Sequence, residues 1–132
     1  MSSDIVVTLE WNGGRLVVDG ELNDTPTAVA IRNSLPLEAQ AQTWGEEIYF
    51  AIPVDISAKD PQEVVEVGDL AYWPAGNAFC IFFGRTPASR GDEPRPASPV
   101  DIIGKVTTNV DSLKDVPGGA RVLVSTTSSI KD

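Results

Sequence analysis

The 132-residue chain carries 19 acidic against 10 basic residues, a net charge of −9, with 42% hydrophobic residues, no His and a single Cys. That length fits one domain, spanning 1–132, which buries about two-thirds of its unfolded surface, while the negative field disfavours phosphate backbones and anionic lipid. The absence of His, with Cys80 alone, argues against His-based triads, zinc or iron–sulfur centres and any intrachain disulfide.

Two β-rich runs open the chain, IVVTLEW (5–11) and RLVVDGEL (15–22), joined by Asn12-Gly13-Gly14. Asn-Gly supplies the positive φ angles of a tight hairpin turn. Ile5, Val7, Leu9 and Trp11 share one face of the first run. Thr25 then stands as a helix cap and Pro26 suits the first turn, where a missing N–H costs nothing. Ala28, Ile31 and Leu35 recur at helical spacing and Pro36 stops the element, which predicts a helix of about two and a half turns.

Residues 38–44 alternate weakly until Gly45 breaks them. EIYFAIPV (47–54) predicts a strand with Ile48, Phe50 and Ile52 on one face and Glu47, Tyr49 and Ala51 on the other. A loop at 55–62 precedes EVVEVGDLAYWP, in which Gly68-Asp69 is a turn or kink. AYWPAGNAFCIFFG (71–84) reads as two strands joined at Pro74-Ala75-Gly76. In the second of them Cys80 and Phe82 share one face, and Phe79, Ile81 and Phe83 the other.

The segment 84–99 holds four of the ten prolines and almost no apolar residues, the pattern of a long surface loop. VDIIGKVTT (100–108) is a further strand with Gly104 as a bulge, 109–116 makes a helical turn, and 118–130 closes the chain as an alternating strand. About eight strands with one or two short helices call for a closed antiparallel barrel or a sandwich. The opening MSSDIVVTLEW has no basic n-region, and the sequence shows no apolar run approaching the ~18 residues of a membrane span, no Walker loop and no dinucleotide fingerprint. The expectation is a cytoplasmic protein, monomer or homodimer, with no metal, cofactor, nucleic-acid or membrane partner.

The blocks GEEIYF, GDLAYWP, CIFFGRTP and PVDIIGKV resemble a family of small bacterial and archaeal cyclophilin-like proteins, over nearly the whole chain. The resemblance implies a mainly β fold, a closed eight-stranded antiparallel barrel like that of the peptidyl-prolyl isomerases. Residues 77–83 (NAFCIFF) and 102–106 (IIGKV) are similar to two cyclophilin strands. The catalytic block departs from the pattern: aligning IYFAIP (48–53) with it puts Phe50 where cyclophilins carry the arginine that stabilises the twisted amide. The resemblance therefore implies the barrel but argues against isomerase activity.

Three constellations carry candidate chemistry. Tyr72, Trp73, Phe79 and Tyr49 are either core or the walls of an apolar groove, the common form of a small-molecule site. Arg85, unlike the loop residues Arg90 and Arg95 offset by Asp92 and Glu93, follows a strand end directly and could clamp an anion. Glu47, on Tyr49's side of its strand, would serve as a general acid if burial raised its pKa. Cys80 lacks any His to activate it. The expected function is binding of a small molecule or peptide in the aromatic groove, anchored by Arg85 and Glu47, with no catalytic residue. The alternatives are a divergent isomerase that uses Arg85 and a subunit that acts through a partner protein.

Overall fold

A computed structural model describes residues 4–127. Strands β1 (Ile5–Trp11) and β2 (Gly14–Leu22) form the expected hairpin, with Trp11 paired to Gly14, so its turn is Asn12-Gly13. Only Gly13 of that pair takes a positive φ, 105°, where both were expected to. Helix α1 (Pro26–Asn33) starts as its sequence dictates: the Thr25 hydroxyl accepts from the Ala28 N–H at 3.2 Å. It ends at Ser34, two residues short of the expected stop, and Leu35 packs on the core from beyond the helix.

The remaining strands are β3 (Leu37–Gln40), β4 (Gln42–Thr43), β5 (Glu47–Ala51), β6 (Asp69–Trp73), β7 (Ala78–Phe82), β8 (Asp101–Val106) and β9 (Arg121–Thr126). All pairings are antiparallel, in the order β3-β9-β1-β2-β8-β6-β7-β5-β4. β3 pairs with β9 and β4 with β5, and Ala41 alone separates β3 from β4. The segment 37–43 thus joins both ends of the sheet and brings it nearly to closure as a barrel. Among the described residues the sheet has nine strands where about eight were expected, because that one seam segment is interrupted at Ala41. A 3₁₀ turn at Pro74–Gly76 links β6 to β7, and a 3₁₀ helix at Val110–Asp115 tucks Leu113 into the core.

The β8 bulge is where the sequence places it: Leu70 pairs with Gly104 but Ala71 with Ile102, so Ile103 is the extra residue. A Cβ at Gly104 would lie 1.9 Å from the Glu21 carbonyl oxygen, so β2 and β8 approach this closely only because a glycine is there. The expected strand extends to 130, but its residues 128–130 lie outside the described residues. No helix among the described residues is long and apolar enough to cross a membrane.

Alternation along the strands sorts the apolar residues into two layers. Ile5, Val7, Leu9, Ile48, Phe50, Leu70, Tyr72, Phe79, Ile81, Ile103, Val122 and Val124 fill the interior, joined by Ala28 and Ile31 of α1. On the outside of β5–β8, Ala71, Ala78, Cys80 and Phe82 form a second cluster with Val65 and Val100. The loop after β7 covers that cluster, with Val65 N–H bonded to the Pro94 carbonyl at 3.1 Å and both Pro94 and Pro96 buried. Far from being a plain surface loop, this segment supplies apolar cover through its prolines.

Asp101, at the start of β8, ties three segments together. Its buried carboxylate accepts the Thr27 hydroxyl at 2.7 Å, the Lys59 N–H at 2.9 Å and the Asp60 N–H at 3.0 Å. Burial pushes its pKa up, but these hydrogen bonds outweigh that and hold it below the ordinary value of 3.8. A depressed carboxylate stabilises above its unfolded pKa and loses that contribution as pH falls through the folded value. Asp101→Asn, which turns an acceptor toward donors as an NH₂, is expected to cost about 1–2 kcal/mol at pH 7 and less at pH 3. Urea melts at the two pH values measure this; an equal loss at both would exclude the charged form as the source.

Candidate functional site

The outer face of β5 is the place where polar chemistry meets aromatic surface. In register, Glu47 lies opposite Phe82 and Tyr49 opposite Cys80 on β7, and Trp73 of β6 lies opposite Ala78. Period-two alternation sets Glu47, Tyr49 and Trp73 outward, while Ile48, Phe50 and Tyr72 point in. Tyr49 and Trp73 meet edge to face, with centroids 6.1 Å apart and planes at 79°.

The turn before β5 adds a third ring. Trp44 N–H bonds the Glu47 carbonyl at 2.9 Å across Gly45, whose φ of 61° suits glycine. A Cβ at Gly45 would also sit 2.9 Å from the Arg85 carbonyl oxygen, so turn and loop are packed backbone to backbone. Glu46 N–H bonds that same carbonyl at 2.7 Å, and the Glu46 carboxylate accepts from the Arg85 N–H at 3.3 Å. The far end of the loop is held by Trp73 Nε1–H donating to the Ser98 hydroxyl at 2.6 Å. In between, Glu93 accepts from the N–H groups of Arg90 and Gly91 and from Arg95 Nε, contacts that hold its pKa down to about 2.

These anchors leave a cavity of about 140 Å³ lined by Trp44, Glu47, Tyr49, Trp73, Pro96 and Ala97. Glu47 is 5% exposed and forms no ion pair among the described residues. Burial raises its pKa from 4.5 to about 7, against the lowering effect of the neighbouring Cys80 thiol. The thiol itself is wholly buried, and burial reinforced by Glu47 pushes it well above the ordinary cysteine range. It is accordingly unreactive as a nucleophile near neutral pH. Near pH 7 Glu47 divides between acid and carboxylate, so it can donate a hydrogen bond to a neutral group or hold a cation.

Of the six residues expected from sequence, the structure brings Glu47, Tyr49 and Trp73 together. Tyr72 and Phe79 lie on the other side of the sheet, fully buried in the barrel. The Tyr72 hydroxyl is used structurally: it donates to the Val54 carbonyl and accepts from Asn77 Nδ2 at 3.0 Å. Arg85 is exposed and does not line the cavity. Phe50, matched by sequence to the cyclophilin arginine, points into the core and stacks on Phe79 at 5.0 Å. The residue that β5 turns toward the outer face there is its neighbour Tyr49.

Sequence reasoning missed Trp44, Pro96 and Ala97. Trp44 carried a usable signal, three residues ahead of Glu47 with a glycine between; the two loop residues carried none. A larger depression of about 550 Å³ lies between the start of α1 and 59–66, but its buried carboxylate, Asp101, is already engaged by its own chain. Among the described residues no three His, Cys, Asp or Glu side chains converge to hold a metal ion.

No curated protein matches the chain. The solution structure of a hypothetical protein from Archaeoglobus fulgidus is similar, at 35% identity and a TM-score of 0.68, covering 95% of this chain and 96% of the other. The Cyclophilin-like family profile matches residues 7–125, which takes in the seam and every residue of the outer cavity. The chain belongs to the cyclophilin-like family.

Proposed function

We propose that the protein is a binding module whose ligand, a small molecule or a single side chain of a peptide, enters the cavity beneath the 84–99 loop. The observation that carries this reading is Glu47: a buried carboxyl with no ion partner among the described residues, facing a cavity walled by three aromatic rings. Burying an ionisable group without a partner is costly, and such groups gather where something is bound or transformed. An aromatic cavity with one convergent polar group is also the common form of a small-molecule site. Glu47 and the rings suffice for binding, and the Cys80 thiol beside Glu47 is wholly buried and held in its protonated form.

The three indole N–H signals give a direct test, since Trp44 and Trp73 line the cavity and Trp11 lies at the hairpin turn. In nitrogen–proton correlation spectra, cavity-sized fragments are expected to shift Trp44 and Trp73 and leave Trp11 in place. Trp73→Ala is expected to abolish the Trp44 shift. Fragment hits that move Trp11 or the Asp101 groove instead would refute the assignment.

A further inference from the structure

We propose that the group this cavity takes is an organic ammonium ion, held against the rings of Trp44, Tyr49 and Trp73 with the Glu47 carboxylate as its counter-ion. The inference rests on reading the cavity as a binding site and adds the chemical class of its occupant.

The lining points to a cation and the volume to its size. Aromatic rings attract cations through their negative faces, and this cavity gathers three of them, Tyr49 and Trp73 standing as adjacent walls at 79°. Its volume, about 140 Å³, is close to the ~150 Å³ of an engineered apolar cavity that admits benzene, which suits a methylated ammonium head but no larger body. A tail would leave over the Tyr49–Trp73 ridge, since both rings also border a shallower depression toward Glu38 and Gln42.

Charge decides between classes of ligand. Among the described residues of the loop, Arg95 is paired with Glu93, and Arg85 and Arg90 are exposed and outside the lining. The titratable groups facing Glu47 are Tyr49 on its own strand and Cys80 on β7; the loop presents uncharged Pro96 and Ala97, and Trp44 closes the turn side. Glu46, next in sequence, directs its carboxylate at the Arg85 N–H. An anionic ligand would meet Glu47 and the field of a chain of charge −9, while an ammonium ion supplies the missing partner.

Because Glu47 is half protonated near pH 7, a permanent cation must displace its proton at lower pH. Affinity should then fall about tenfold for each pH unit below 7 and level off above it. Calorimetric titration with choline and with tetramethylammonium, against 3,3-dimethylbutan-1-ol as the uncharged shape match of choline, tests this. The expected result is binding of at least one cation, about tenfold tighter at pH 8 than at pH 6, with the alcohol weaker and indifferent to pH. Glu47→Gln is expected to lower cation affinity at least tenfold at pH 8 and to remove its pH dependence; Trp73→Ala is expected to remove binding of both the cation and the alcohol. Equal binding of choline and the alcohol, or no pH dependence, overturns the ammonium assignment and leaves the cavity standing as a neutral site. If neither cation binds while neutral fragments shift Trp44 and Trp73, the ammonium assignment alone fails; if fragments fail too, both readings fail.

Discussion

Glu47→Gln stabilises the folded protein by about 3 kcal/mol at pH 8 and by about 1 kcal/mol at pH 5, as read from urea melts at the two pH values. The sign follows from the direction of the shift. Glu47 is raised from 4.5 to about 7 in the folded state, so between those values the native protein holds a proton that the unfolded chain has released. Stability then falls as pH rises through that window and is level above it. A shift of this size is worth about 3 kcal/mol at 1.36 kcal/mol per pKa unit, and below the unfolded value it vanishes. Glutamine keeps the shape and titrates nowhere, so the variant recovers what burial of the carboxylate costs. A variant no more stable than the parent at pH 8 would mean that the carboxylate is well solvated, and the electrostatic basis of the site would be lost.

This prediction bears on function because it separates what folding asks of the position from what the residue does there. Asp101 is buried too, but three donors meet it, and its replacement is expected to destabilise. Glu47 meets a thiol and aromatic surface, and its replacement is expected to stabilise. A side chain that lowers stability where its amide would not is what the proposed binding role of Glu47 predicts. Such trade-offs between stability and activity are the usual signature of a working site.

The barrel was legible because each strand announces itself locally. β-branched runs, the Asn12-Gly13 turn, the Thr25-Pro26 helix start and the Gly104 bulge all depend on nearest neighbours in sequence. Alternation also correctly separated Phe79, Ile81 and Phe83 from Cys80 and Phe82. What it could not supply was which layer faces inward, since both are equally apolar and the outer one is buried by the loop. The seam at 37–43 was equally opaque: a polar, weakly alternating segment becomes two strands because its neighbours β9 and β5 come from the two ends of the sheet. The site was half legible for the same reason. Glu47, Tyr49 and Trp73 lie on strands whose facing could be reasoned, whereas Pro96 reaches the cavity by the path of a proline-rich loop that has no periodicity to read.

The division between core and cavity predicts a double dissociation. Phe79→Ala is expected to cost about 3–5 kcal/mol, since it empties a fully buried ring site and removes the stacking partner of Phe50. Against a total stability of about 5–15 kcal/mol, that leaves a protein folded but near its limit. Trp73→Ala removes a half-buried ring, its bond to Ser98 and its edge contact with Tyr49, for about 1–2 kcal/mol. The order reverses for binding. The folded fraction of Phe79→Ala should retain fragment-induced shifts at Trp44 and Trp73, because its ring lies across the sheet from the cavity. Trp73→Ala should fold and bind nothing there. Tyr72 and Trp73 are adjacent in sequence, so a one-residue change of register would exchange their faces. If Trp73→Ala proved the more destabilising of the two, or Phe79→Ala abolished the indole shifts while folded, the inward and outward layers would have to be interchanged, and Glu47 would go with them.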